Sequence, residues 1–201
     1  MNIVDNLPIK KLIDTLTLEK GHPIVFDDLK AELSNFNKYG VGIKEYDDLC
    51  IIYYEDQLEQ VDPDDNKDEL IANSCRSYIF EKSTFLPIAS QFNKIIYNED
   101  ATDLLKDTPW ENVIVYPCYE GTTILVFNHS DKWYVSTRRC INSEDSVWIQ
   151  GKSYRQLFDE CIQNKLKLDD LDPSYCYHFI ILHHQNKNII SYDFLNEGYK
   201  E

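Results

Sequence analysis

From Ile71 to the C-terminus the chain reads as one short apolar segment after another, the pattern of strands bounded by polar turns rather than of alternating strands and helices. Segments 71–81, 85–92, 112–116, 122–128, 132–139, 175–183 and 188–194 carry this pattern. Leu49-Cys50-Ile51-Ile52-Tyr53-Tyr54 reads as a further, buried strand upstream. Helical spacing appears at the N-terminus, where Ile9, Leu12, Ile13 and Leu16 share a face behind Pro8 and Gly21-His22-Pro23 ends the run. Leu29, Leu33 and Phe36 predict a second helix, begun by Asp27 and Asp28 and closed by Gly40. Tyr154, Leu157, Phe158, Cys161 and Ile162 predict a third within 152–164. Two helices followed by mostly antiparallel strands with one or two inserted helices is an α+β chain.

The 201 residues suit one continuous domain, with 1–70 as a helical and strand lead-in and 71–201 as the core. Within the lead-in, residues 55–69 hold eight acids against one base, Lys67, and read as a solvated loop. Asp62-Pro63-Asp64-Asp65 lacks the glycine and terminal glutamate of a calcium loop. The net charge of -15 opposes non-specific binding to nucleic acid or anionic membranes, so a nucleic-acid role needs a local basic groove. The apolar runs fall short of a membrane span, and MNIVDNLPIKKLID is too polar for a secretory signal. The six cysteines form no CxxC pair; they read as small buried hydrophobes with reduced thiols, in a cytoplasm-like compartment or a virion. No metal-ligand set and no cofactor motif is expected: a Gly-rich phosphate loop, HExxH and GxSxG are all absent from the sequence.

Several segments stand in a distinctive order: Cys75-Arg76-Ser77-Tyr78-Ile79-Phe80-Glu81, then Pro87-Ile88-Ala89-Ser90-Gln91-Phe92-Asn93-Lys94-Ile95-Ile96-Tyr97-Asn98. Tyr119-Glu120-Gly121-Thr122-Thr123-Ile124 leads into Trp133-Tyr134-Val135-Ser136-Thr137-Arg138-Arg139, and Tyr177-His178-Phe179-Ile180-Ile181-Leu182-His183-His184-Gln185-Asn186-Lys187-Asn188-Ile189-Ile190 follows. Across residues 70–192 this succession resembles the adenylation domain of phage-type RNA ligases, members of the covalent nucleotidyltransferase superfamily. The resemblance implies a ligase-like fold of mostly antiparallel sheets. It also implies a K-x-D-G lysine that attacks the α-phosphate of ATP, a reaction suited to an amine of depressed pKa.

This chain departs from that pattern where the chemistry is done. Matching on Gly121 puts Cys118 at the position of the nucleophilic lysine, and the family's glutamate in the last strand motif falls at Ile180. Ser77 replaces the glycine after Arg76, and the family's E-G strand and final K-x-K pair have no counterpart before Glu201. Those lysines neutralise phosphate charge during transfer. The resemblance therefore implies a catalytically inactive relative, with Arg76, Glu120, Arg138 and Lys187 as the polar lining of any remnant nucleotide pocket. The expected role is a protein-binding or structural component, with proteins as partners. Composition and analogy point to a particle or replication complex of a large DNA virus. Two alternatives stay open: an active ligase completed by a partner chain, and a non-catalytic sensor of nucleotides or RNA ends.

Overall fold

The computed structural model describes residues 8–34, 39–55, 71–72, 75–91, 98–149, 151–186, 189–196 and 198–201. Helix α1 (Pro8–Lys20) starts at its proline and stops at Gly21, whose φ of 71° suits a residue without a side chain. Helix α2 (Phe26–Leu33) begins where the Asp28 carboxylate accepts the Val25 N–H at 3.0 Å, and Ser34 ends it by bonding back to the Lys30 carbonyl. It thus stops short of Gly40, where the sequence suggested closure.

Strands β1 (Val41–Tyr46), β2 (Leu49–Tyr54), β3 (Tyr78–Glu81) and β4 (Pro87–Ser90) form an antiparallel sheet in that order. Helix α3 (Asn98–Lys106) follows, then a second antiparallel sheet in the order β6 (Lys132–Ser136), β5 (Thr122–His129), β9 (Tyr177–Ile181). A small pair, β7 (Val147–Ile149) and β8 (Lys152–Ser153), leads into helix α4 (Tyr154–Ile162). Ser153 caps α4 by accepting the Gln156 N–H while the Gln156 side chain accepts the Ser153 N–H.

Side chains alternate across a strand, and here both faces of the central strands are used. Cys50, Ile52, Tyr78 and Phe80 face α1 and α2, meeting Ile9, Leu16, Leu29 and Leu33. Leu49, Ile51, Tyr53 and Ile79 face the second sheet, meeting Leu125, Phe127 and Tyr134. Beyond it, Ile124, Val126, Val135 and Ile181 meet Leu157, Phe158 and Cys161 of α4. The order of layers is helices, sheet, sheet, helix. That is an α+β architecture with antiparallel sheets, as the sequence predicted.

Several elements differ from expectation. Strand β1 and helix α3 were not anticipated. Strand β3 starts only at Tyr78, because Ile71 and Ala72 are helical and Arg76 and Ser77 form a bend. The 112–116 segment is a 3-10 turn (Trp110–Asn112) running into unpaired chain, with Ile114, Val115 and Tyr116 at least 73% exposed. Its residues favour strands, but among the described residues no strand lies beside them to complete a ladder. Residues 189–194 form turns, since their backbone donors meet side chains instead of a neighbouring strand. Strand β6 stops at Ser136, so Arg138 and Arg139 occupy a tight turn closed by the Thr137–Cys140 pairing. Apart from Glu55, the acidic stretch 55–69 lies outside the described residues. No helix among the described residues is long and apolar enough to cross a membrane.

Candidate functional site

Antiparallel pairing brings Arg76, Glu120 and Arg138, three of the residues singled out by sequence, to one end of the two-sheet sandwich. Strand β5 starts where β6 and β9 end, through the pairs Leu125 with Ser136 and Thr122 with Ile181. In the first sheet, Tyr54 ends β2 while Arg76 and Ser77 precede β3. The Ser77 hydroxyl reaches the Thr137 carbonyl at 3.5 Å and joins the two ends.

The Cys118-Tyr119-Glu120-Gly121 segment lies against the C-terminal part of the chain. Gly121 is where the backbones crowd: a Cβ there would sit 2.5 Å from the Ile181 carbonyl oxygen and 2.6 Å from Ile180 Cγ2. The Glu120 carboxylate accepts the backbone N–H groups of Ile189 (2.8 Å) and Ile190 (2.6 Å), and the Glu120 N–H donates to the Tyr192 hydroxyl at 2.7 Å. Tyr119 sets its ring edge-on to Tyr192 and Phe194, which stack on each other. Cys118 is exposed, and Ile180 is 48% exposed on β9. Glu120 therefore acts here as an anchor for the 189–192 segment. Lys187 lies outside the described residues.

Arg76 and Arg138 are brought together by Tyr54. The Arg138 guanidinium sits over the Tyr54 ring, 4.7 Å from its centroid, and Arg76 Nη1 lies 3.5 Å from the Tyr54 hydroxyl. On the other face of β2, Lys44 and Arg139 lie over the Tyr53 ring at 5.7 Å each, and Arg139 pairs with Glu55 at 3.2 Å. The sequence missed this basic cluster within an acidic protein, because its cations come from β1, the bend before β3 and the turn after β6. Buried polar groups lie behind it: Ser77, Gln91, Ser136 and Thr137 are each less than a tenth exposed. Both amide atoms of Gln91 lack a hydrogen-bond partner, although its backbone N–H bonds the Ser77 carbonyl. An unmatched buried amide costs free energy.

A second polar cluster sits behind α4. Glu160 receives Lys152, Lys200 at 2.7 Å and His183 Nε2 at 3.1 Å. Lys152 foremost, then Lys200, hold the Glu160 carboxyl down to about 2, against the opposing effect of burial. The Gln185 N–H donates to His183 Nδ1, which leaves the proton on Nε2, facing Glu160. Burial lowers the His183 pKa, and the Glu160 hydrogen bond opposes that effect. This cluster fastens the last residues, whose backbone pairs Leu182 with Glu201 in both directions.

The chain is 31% identical over 115 residues to a protein described as an immediate-early protein ICP-46 homolog from Invertebrate iridescent virus 3. The match takes in 53% of this chain and 25% of that relative's length, so the chain spans about a quarter of it. No family model matches the sequence, and no solved structure matches it. The relative is a viral protein, in keeping with the viral source expected by analogy.

Proposed function

We propose that this chain is a catalytically inactive protein of RNA-ligase-like nucleotidyltransferase fold that works as a protein-binding component of a viral assembly. The observation that carries this reading is the state of the Cys118–Gly121 segment. Cys118 stands where the resemblance calls for a nucleophilic lysine, and Glu120 is spent on two backbone N–H groups of the C-terminal segment. Two antiparallel sheets layered between helices are compatible with the ligase-like fold, and the viral relative is compatible with a viral role.

Protein partners fit the surface as well. Leu104, Leu105, Trp110, Ile114, Val115 and Tyr116 are exposed within thirteen residues of chain, a density of apolar surface that marks association sites. Incubation with radiolabelled ATP or GTP and magnesium, followed by a denaturing gel, tests the inactive assignment. No labelled band is expected, and a labelled band overturns it.

One set of contacts favours a second reading, a non-catalytic sensor of nucleotides or 5′-phosphorylated RNA. Arg76 and Arg138 meet at Tyr54, so a phosphate finds cationic partners and an aromatic ring there. Calorimetry with ATP and with 5′-phosphorylated RNA separates the two readings, since a purely protein-binding component takes up neither ligand at millimolar concentration.

A further inference from the structure

At the opposite end of the sandwich three loops converge. The turn between β1 and β2 presents Asp48, the end of β3 presents Glu81, and the turn between β5 and β6 presents His129. One ligand-type atom from each lies within 4.8 Å of the other two, with His129 Nε2 at 3.2 Å from Asp48 Oδ2. We propose that Asp48, Glu81 and His129 form a divalent transition-metal site, of the class occupied by zinc, that clamps the two sheets together.

The ligand set fits that class. An imidazole nitrogen with two carboxylates suits zinc better than magnesium or calcium, which favour all-oxygen shells, and three protein ligands leave a position for water. Charge favours an occupant, because two carboxylates this close repel each other unless a cation lies between them. The neighbouring ammonium groups are engaged with other partners. Lys82 Nζ pairs with Glu45 at 3.0 Å, although its charge still reaches Asp48, and Lys132 lies over the Tyr46 and Tyr134 rings.

The ligands are also held in place before any metal arrives. Thr84 donates its hydroxyl to Glu81, orienting that carboxylate as an outer partner does in metal sites. The Lys82 N–H donates to the Asp48 carbonyl at 2.8 Å, which locks the β1–β2 turn beside the end of β3. Ser130 and Asp131 both adopt positive φ, the geometry of a tight two-residue hairpin turn, and this fixes His129 at the end of β5. His129 is 12% exposed in its side chain and Asp48 53%, so the site is rooted in the fold and open on one side.

Calorimetric titration of the full chain with zinc chloride, in a non-chelating buffer with the thiols kept reduced, tests the proposal. The expected result is one tight equivalent, with His129→Asn and Glu81→Gln each weakening affinity at least tenfold. Cys118→Ser/Cys176→Ser, which removes the exposed thiols, should leave that equivalent unchanged. Circular dichroism of the variants establishes that they remain folded, and the near-isosteric change at the half-buried Glu81, Glu81→Gln, serves if His129→Asn does not fold. Absence of binding at millimolar zinc, or an equivalent that survives His129→Asn or Glu81→Gln but is lost with the thiols, overturns the site and leaves Asp48 and His129 a simple ion pair. This outcome is independent of whether the chain forms a nucleotide adduct.

Discussion

The Glu120 carboxylate accepts the Ile190 N–H at 2.6 Å while also accepting the Ile189 N–H, a side chain replacing the strand partner those amides lack. The segment following Cys118 and the segment preceding the C-terminus are thus held as one unit, with Tyr119, Tyr192 and Phe194 packed around the junction.

Removal of that carboxylate should release the segment. Hydrogen bonds to a charged group contribute about 1.5–3 kcal/mol, so Glu120→Ala is expected to destabilise the chain by about that amount. Glu120→Gln, which keeps one acceptor, should recover part of the loss. Hydrogen exchange at the Ile189 and Ile190 amides should accelerate in the alanine variant; unchanged protection there would contradict the anchoring role.

Acid should loosen the C-terminus before the sheets. The Glu160 pKa is held at about 2 in the folded chain against an ordinary 4.5, so its stabilising contribution is complete above 4.5 and is lost as pH falls towards 2. His183 acts in the same direction: its lowered pKa makes the folded chain favour the neutral ring, and that contribution fades as pH falls below the ordinary 6.5. Amides that pair 182–184 with 199–201 are therefore expected to lose protection on acidification, while those of β2 and β5 persist. In Glu160→Gln the same amides should be less protected already at neutral pH. Individual exposed ion pairs contribute about 1 kcal/mol or less, so the effect is local.

Thiol labelling should divide the cysteines by position. Burial pushes the Cys50 and Cys75 thiols up to about 12 and Cys161 up to about 11, whereas Cys118 is exposed. Cys176 borders solvent, but partial burial also raises its pKa, so it should react more slowly than Cys118. A thiol-specific reagent should modify Cys118 first, and Cys50, Cys75 and Cys161 only in denaturant. Rapid modification of Cys50 or Cys75 in the folded chain would contradict the core assignment.

The parts of the fold legible in the sequence are those whose side chains are buried in a simple period. Strand β2 is apolar throughout because each of its faces meets a core, and α1 and α4 show spacing by threes and fours because one face is covered. Strand β1 was hidden because Gly42, Lys44 and Glu45 interrupt its apolar pattern on a sheet edge. Helix α3 was hidden because its only apolar residues past Ala101, Leu104 and Leu105, remain exposed and leave no buried stripe. Ile114-Val115-Tyr116 and Ile189-Ile190 misled in the other direction, since strand-type residues that meet no partner strand among the described residues are irregular.

The candidate site was legible only in its members. Arg76, Glu120 and Arg138 could be named from motif order, but their partners lie far along the chain. Tyr54 links two arginines 62 positions apart, and the backbone donors that occupy Glu120 are 69 and 70 residues away. No local pattern encodes such distances. The same holds for Asp48, Glu81 and His129, which only the two-sheet packing unites.

The inactive assignment is tested most directly by intact-protein mass spectrometry after incubation with ATP or GTP and magnesium. The account predicts the unmodified mass in each case. A mass increment equal to AMP or GMP on any side chain would contradict it.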